Sequence, residues 1–255
     1  GKGLGVYSQY DGKDTIYTFG PADGLSSLWV KCFAQAPGRN GKLFVGTSGA
    51  GIFEFTGGRD FPLNANFARL KSTGDQIPER INSMDFIQNE LWFTGDGNQY
   101  GYYFDNRVVT FAEANSSFRN CAGTNNIRWL GSTDNGVLRI EVKNDSIIDK
   151  KWITTKQGIS SNNIYQLTLK ENELWVGTEK GLDKLSLDST FNIKLIEHYG
   201  YEEGFEGVET NINAVCQDVN NNLWFGTVDG LYLYQGGEVN YSQQKAPVLQ
   251  LTDLI

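Results

Sequence analysis

One short motif occurs five times along the chain, and its spacing limits the available folds more than any other feature. Leu43 Phe44 Val45 Gly46 Thr47 comes back as Leu91 Trp92 Phe93 Thr94 Gly95, as Ile127 Arg128 Trp129 Leu130 Gly131 Ser132, as Leu174 Trp175 Val176 Gly177 Thr178 and as Leu223 Trp224 Phe225 Gly226 Thr227. The aromatic positions 44, 92, 129, 175 and 224 are therefore 48, 37, 46 and 49 residues apart. Each copy is an apolar and aromatic run closed by glycine with a hydroxyl residue, the pattern of a strand running into a tight turn. A second strand follows each copy, beginning at Gly51, Gly101, Gly136, Gly181 and Gly230, and an apolar run such as Ile164 to Leu169 precedes it.

Further apolar runs lie between the units, at Thr15 to Phe19, Val108 to Phe111 and Lys194 to Tyr199. Four short strands per ~45 residues is the period of a β-propeller blade. A helical solenoid would need two stretches per unit with apolar residues at three-to-four spacing, and no unit has them. The fold class read from the sequence is all-β, a β-propeller of four-stranded antiparallel blades. The N-terminal Gly3 to Ser8 matches a third strand and Thr15 to Phe19 a fourth, so the chain is expected to start inside a blade. It then forms an incomplete piece of a larger propeller of about seven blades. Residues 1–243 are read as a half blade plus five full blades, and 244–255 as the first strand of a following domain.

The 30 glycines suit a turn-rich fold, and the 33 aromatic residues (15 Phe, 12 Tyr, 6 Trp) exclude a disordered chain. With 22 basic against 30 acidic residues the formal charge is -8, which argues against a nucleic-acid partner. No stretch approaches the ~18 consecutive apolar residues of a membrane span. Three widely spaced cysteines have neither disulfide parity nor a Cys-x-x-Cys metal signature, so no metal or other cofactor is expected. Cys121 and Cys216 each lie eight residues before a repeat tryptophan, where other units have Met84 and Leu167, and all three thiols are read as buried core positions.

The repeats resemble the two-component regulator propeller repeat of large bacterial sensor proteins. The resemblance rests on Gln157 to Asn163 followed by Glu173 to Thr178 and Gly181 Leu182, on Asp23 to Ser27 before Leu43 to Thr47, and on Gly204 to Asn211 through Asn222 to Thr227. Two units depart from it: Thr94 Gly95 reverses the usual Gly-Thr order, and Arg128 stands where leucine is expected. The last unit is similar to the final blade that this family places before its three-tyrosine, immunoglobulin-like domain, and Pro247 to Leu254 looks like that domain's first strand. The resemblance implies the periplasmic, extracytoplasmic part of an inner-membrane protein and the absence of an enzyme activity in this region. It also implies an oligosaccharide or other small-molecule ligand, relay through the following immunoglobulin-like domain, and a homodimer formed through the parent. A kinase or a DNA-binding regulator would lie outside these residues.

Catalytic readings are outweighed. His198 is the only histidine and sits in an alternating strand. Glu197, Glu202, Glu203, Glu206 and Glu209 could supply paired carboxylates, but a solvated loop accounts for them more simply. Asp218 Val219 Asn220 Asn221 Asn222 opens like a calcium loop, yet Leu223 stands where glycine is required, so a hairpin turn is expected. Ser132 to Gly136 is similar to the aspartate box of propeller sialidases, without the aromatic residue that follows there. A carbohydrate-active propeller (glycosidase or lyase) and a protein-interaction scaffold stand as the alternatives to a sensor. Recognition is expected on the face where the loops leading into the innermost strands meet the turns between second and third strands. Trp29, Glu79, Arg80, Asn98, Tyr100, Arg119, Asp134, Asn135, Asn162, Asn163, Glu209 and Asn211 are the candidate ligand-binding residues there. Rings, amides, carboxylates and arginines together suit a sugar.

Overall fold

The computed structural model describes residues 3–10, 13–38, 41–56, 65–95, 97–207 and 209–235. A hairpin of β1 (Leu4–Tyr10) and β2 (Lys13–Phe19) leads into five small sheets. Blade 1 holds β3 (Val30–Gln35), β4 (Leu43–Thr47), β5 (Ile52–Phe55) and β6 (Phe67–Arg69). Blade 2 holds β7 (Thr73–Gly74), β8 (Ile81–Ile87), β9 (Glu90–Gly95), β10 (Gln99–Phe104) and β11 (Arg107–Ala112). Blade 3 holds β12 (Phe118–Thr124), β13 (Ile127–Ser132), β14 (Val137–Lys143) and β15 (Ser146–Ile153). Blade 4 holds β16 (Ile164–Lys170), β17 (Glu173–Thr178), β18 (Gly181–Leu187) and β19 (Ile193–Tyr199). Blade 5 holds β20 (Thr210–Gln217), β21 (Leu223–Thr227) and β22 (Leu231–Tyr234). The sheets stand in a ring, and the molecule is a β-propeller.

The motif that revealed the repeat now has a physical cause. In blades 1, 3, 4 and 5 its hydroxyl residue ends the second strand and closes the next turn through two bonds. Thr47 Oγ1 donates to the Gly51 carbonyl at 2.9 Å and accepts from Ala50 N at 3.2 Å. Ser132 does the same with Gly136 and Asn135, Thr178 with Gly181 and Lys180, and Thr227 with both groups of Gly230. The preceding glycine lies against the innermost strand: a Cβ at Gly46 would stand 2.5 Å from Cys32 Sγ, and one at Gly177 2.9 Å from Gln166 Cβ. In blade 2 the order is reversed because small Ser83 faces Thr94, while a Cβ at Gly95 would stand 2.6 Å from Pro78 Cγ.

Each interface between neighbouring blades encloses one apolar cluster. Trp92, Trp129 and Trp175 are at most 1% exposed in them, as expected of core positions. Trp224, the fourth of the set, is only half-buried; among the described residues no element covers that face of blade 5, and Leu231 on it is 65% exposed. Arg128 replaces leucine without leaving the core. Its guanidinium lies 4.6 Å from the Trp92 ring centroid and pairs with Glu90 at 2.9 Å, while Glu90 also accepts from Trp92 Nε1.

Two expectations are corrected. Blade 2 has a fifth strand, since β7 runs parallel to the edge of β11 and Asp75 accepts from Thr110 N and Oγ1 at 2.8 and 3.0 Å. That contact covers an edge that would otherwise be open. The three thiols are not all buried: Cys121 is, Cys32 is intermediate and Cys216 is exposed. Cys216 fails the eight-residue rule because the hairpin after β20 is longer, so Cys216 pairs with Trp224 while Val215 takes the position beside Phe225. Three strands of blade 5 are described; its expected fourth strand and the tail 244–255 lie outside the described residues. Among the described residues no helix is long and apolar enough to cross a membrane.

Candidate ligand-binding face

The loops that lead into the innermost strands and the turns after the motif meet on one face, joined by their backbones. Ser48 N donates to Trp29 O at 2.8 Å, and Gly49 N and Gly51 N both donate to Glu79 O of the next blade at 2.8 Å. Thr133 N donates to Ser117 O at 2.9 Å, Gly136 N to Asn162 O at 2.8 Å and Val228 N to Glu209 O at 3.0 Å. The turns of one blade thus hold the loops of its own strand and of its neighbour. The candidate residues on them stand on a rigid frame.

Arg119 is at the centre of the best-formed group. Its Nη1 donates to Asn163 Oδ1 at 2.6 Å and its guanidinium lies 5.1 Å from the Tyr165 ring centroid, while Asn163 Nδ2 donates to the Tyr165 hydroxyl at 3.2 Å. Trp29 presents its ring to solvent at 64% exposure, and Glu79, Arg80, Asp134 and Glu209 are exposed. Asn135 is held by Asn115 O and Ser116 Oγ at 2.8 Å each, Asn162 by Thr155 N at 2.9 Å, and Asn211 donates to Thr227 O at 2.6 Å. Asn98 is half-buried. Tyr100 is a correction: it is fully buried, with its ring T-shaped on Phe118 at 5.2 Å and burial raising its phenol pKa far above the ordinary value. Its side chain belongs to the interface of blades 2 and 3 and offers no surface to a ligand, because the strand alternation turns it inward.

His198 has a structural partner. Its Nδ1 lies 2.9 Å from Asp183 Oδ1, and Asp183 Oδ2 accepts from Ser160 N and Oγ at 2.8 Å each. Serine and histidine bind the two oxygens of one buried carboxylate, so His198 is not placed to take the Ser160 proton as a nucleophile would require. The Asp218 turn is equally structural. Its carboxylate accepts from Trp224 Nε1 at 3.0 Å, from Asn222 N and Nδ2 and from Asn220 N, and these bonds lower its pKa to about 2.

The residues that sequence reasoning missed lie deeper, on the innermost strands. One amide in each of blades 2, 3 and 4 reaches the backbone of the next: Asn82 Nδ2 to Phe118 O at 3.0 Å, Asn120 Nδ2 to Tyr165 O at 2.9 Å, and Gln166 Nε2 to Asn211 O at 2.8 Å. The signal was available as a polar residue one or two positions into each apolar run. Asn213 had no such signal. It sits in a register break between Thr210 and Val215 and bonds Asn82 O at 3.0 Å and Asn120 Nδ2 at 2.5 Å, which are 131 and 93 residues away in the chain.

Comparison with known proteins adds one family match and several structural likenesses. The model described as "Two component regulator propeller" matches residues 207–229, within blade 5 and the loop before it. No curated protein matches the chain. Among solved structures, the extracellular domain of BT3049 from B. thetaiotaomicron, described as a hybrid two component system, aligns with TM-score 0.62 and 17% identity over 86% of this chain and 29% of its own. The extracellular domain of BT4673 from the same organism aligns with TM-score 0.52 and 20% identity, over 84% and 32%. PorZ of Porphyromonas gingivalis, a bacterial surface component of the type-IX secretion system, aligns with TM-score 0.51 and 18% identity, over 80% and 32%. The chain spans less than a third of each of these structures, and at such identities the likeness is one of fold. Repeat, ring and the match on the last blade agree: the molecule is a β-propeller whose residues 207–229 match the two-component regulator propeller repeat.

Proposed function

We propose that this propeller is a ligand-sensing, non-enzymatic domain on the extracytoplasmic side of a two-component signalling protein, and that its ligand is an oligosaccharide. The observation that carries the reading is the family match at 207–229, in a ring whose fold is shared with extracellular domains described as hybrid two component systems. Sensing of this kind needs a rigid frame with variable polar loops, and the backbone-locked face around Arg119, Asn163 and Tyr165 supplies one. Arg119 presents a planar, permanently charged donor fork stacked on an aromatic ring, which suits the carboxylate of an acidic sugar together with its C–H face. Uronic-acid oligomers are therefore the first ligands to test. In the parent, the bound state would pass to the following immunoglobulin-like domain and act through a homodimer.

The test is a thermal-shift screen of this chain against an oligosaccharide library. A ligand at a hundred times its dissociation constant stabilises by about 2.7 kcal/mol, which a melting curve resolves. Arg119→Ala should abolish the shift while leaving the melting temperature of the free protein nearly unchanged. No stabilising oligosaccharide, or an undiminished shift in Arg119→Ala, would count against the reading.

A further inference from the structure

The innermost strands of all five blades converge on a cavity of about 440 Å³. It lies further along these strands than the loop face, and its wall is polar where the inter-blade clusters are apolar: Ser83, Asp85, Asn120, Thr168, Asn213 and Gln217 contribute to it. Among the described residues no side chain hydrogen-bonds the Asp85 carboxylate; its partner is the backbone N–H of Phe86, and burial raises its pKa to about 6. Asn213 bridges Asn82 and Asn120, so an amide group spans the cavity wall between blade 5 and blades 2 and 3. Lys31, Phe33 and Cys216 line the cavity and are exposed, which leaves it open to solvent.

The donor and acceptor set selects a ligand class. An acceptor-only carboxylate beside amides and hydroxyls matches a molecule rich in hydroxyl groups, which both donate and accept. An anionic ligand would meet the Asp85 carboxylate, which Arg128 offsets only in part, in a chain of net charge -8. The volume falls within the ordinary range of about 300 to 1,000 Å³ for small-molecule pockets. We infer that the channel cavity is a second binding site, apart from the loop face, for one neutral monosaccharide or cyclic polyol, with Asp85 accepting from its hydroxyls and Asn213 offering an amide. The inference stands on the cavity and does not require the sensing reading.

Cys216 provides the readout, since it is exposed and lines the cavity, whereas burial pushes the Cys32 thiol up to about 12 and the Cys121 thiol higher still. Alkylation by iodoacetamide near neutral pH therefore reports Cys216. D-glucose, D-galactose, D-mannose and myo-inositol are the probes, with sodium D-glucuronate as the charged counterpart. At least one neutral probe should slow the reaction saturably by about threefold or more, and glucuronate should not. Protection should be lost in Asp85→Ala and weakened in Asp85→Asn, with circular dichroism confirming that both fold. Absence of protection by all four neutral probes, equal protection by glucuronate, or undiminished protection in both variants would overturn the inference. Oligosaccharide binding at the loop face without channel protection would remove this site and leave the sensing proposal standing.

Discussion

Replacing Trp175 by alanine tests how the ring is held together. The indole is 1% exposed at the interface of blades 4 and 5, with the rings of Tyr234, Phe225 and Tyr199 at 4.5, 5.5 and 5.6 Å and Lys184 Nζ 5.9 Å from its centroid. A buried aromatic of this size withdraws about 150 to 250 Å² from water, and at about 25 cal/mol per Å² its loss forfeits about 4 to 6 kcal/mol. Partial collapse of the neighbours and the methyl that remains bring the expectation to about 4 kcal/mol, inside the range for aromatic-to-alanine changes in cores. Trp224 occupies the same place in its blade but is half-buried, with its Nε1 on Asp218, so Trp224→Ala should cost only about 1 to 2 kcal/mol. Urea denaturation followed by the fluorescence of the remaining five of six tryptophans measures both. Equal losses for the two variants, or less than about 1 kcal/mol for Trp175→Ala, would refute the claim that coverage by the neighbouring blade sets the value of the repeat tryptophan.

Further outcomes follow from the charged and hydroxyl groups. Asp183→Ala removes a fully buried carboxylate that holds Ser160 and His198, and should cost about 3 to 5 kcal/mol by thermal or chemical melting; His198→Ala, at a half-exposed partner, should cost clearly less. Asp85 has a folded-state pKa of about 6 against 3.8 ordinarily, so its contribution is most favourable below about pH 4 and is lost as the pH rises through 6. Asp85→Asn should therefore match the parent near pH 4 and be more stable at pH 7, by up to about 3 kcal/mol, in paired urea titrations. Thr178→Val deletes the two turn bonds to Gly181 and Lys180 and should cost about 1 to 2 kcal/mol, a loss that Thr178→Ser should largely avoid.

Much of the fold was legible because the repeat is a turn device as well as a strand. Thr47, Ser132, Thr178 and Thr227 close their turns through the same pair of bonds, so the Gly-hydroxyl order recurs in four of the five blades. The loop face was legible for the same reason, since turn positions follow from strand positions. Tyr100 was misplaced because it stands one residue into β10, where strand alternation and not loop membership decides which way a side chain points. Cys216 was misplaced because a fixed offset assumes equal hairpins, and the five-residue turn Asp218 to Asn222 broke that assumption.

What the sequence determined by itself is local: which runs are strands, where they turn, and that units of ~45 residues share one pattern. Hydrophobic alternation and turn chemistry act over a few residues, so a single chain displays them openly. Closure of the strands around a channel, the pairing of Asn213 with Asn82 across 131 residues, and the isolation of the Asp85 carboxylate were decided only by the tertiary structure. Those contacts depend on how successive blades pack on one another, with Trp92, Trp129 and Trp175 buried between the sheets, and such packing joins residues that are far apart in the chain.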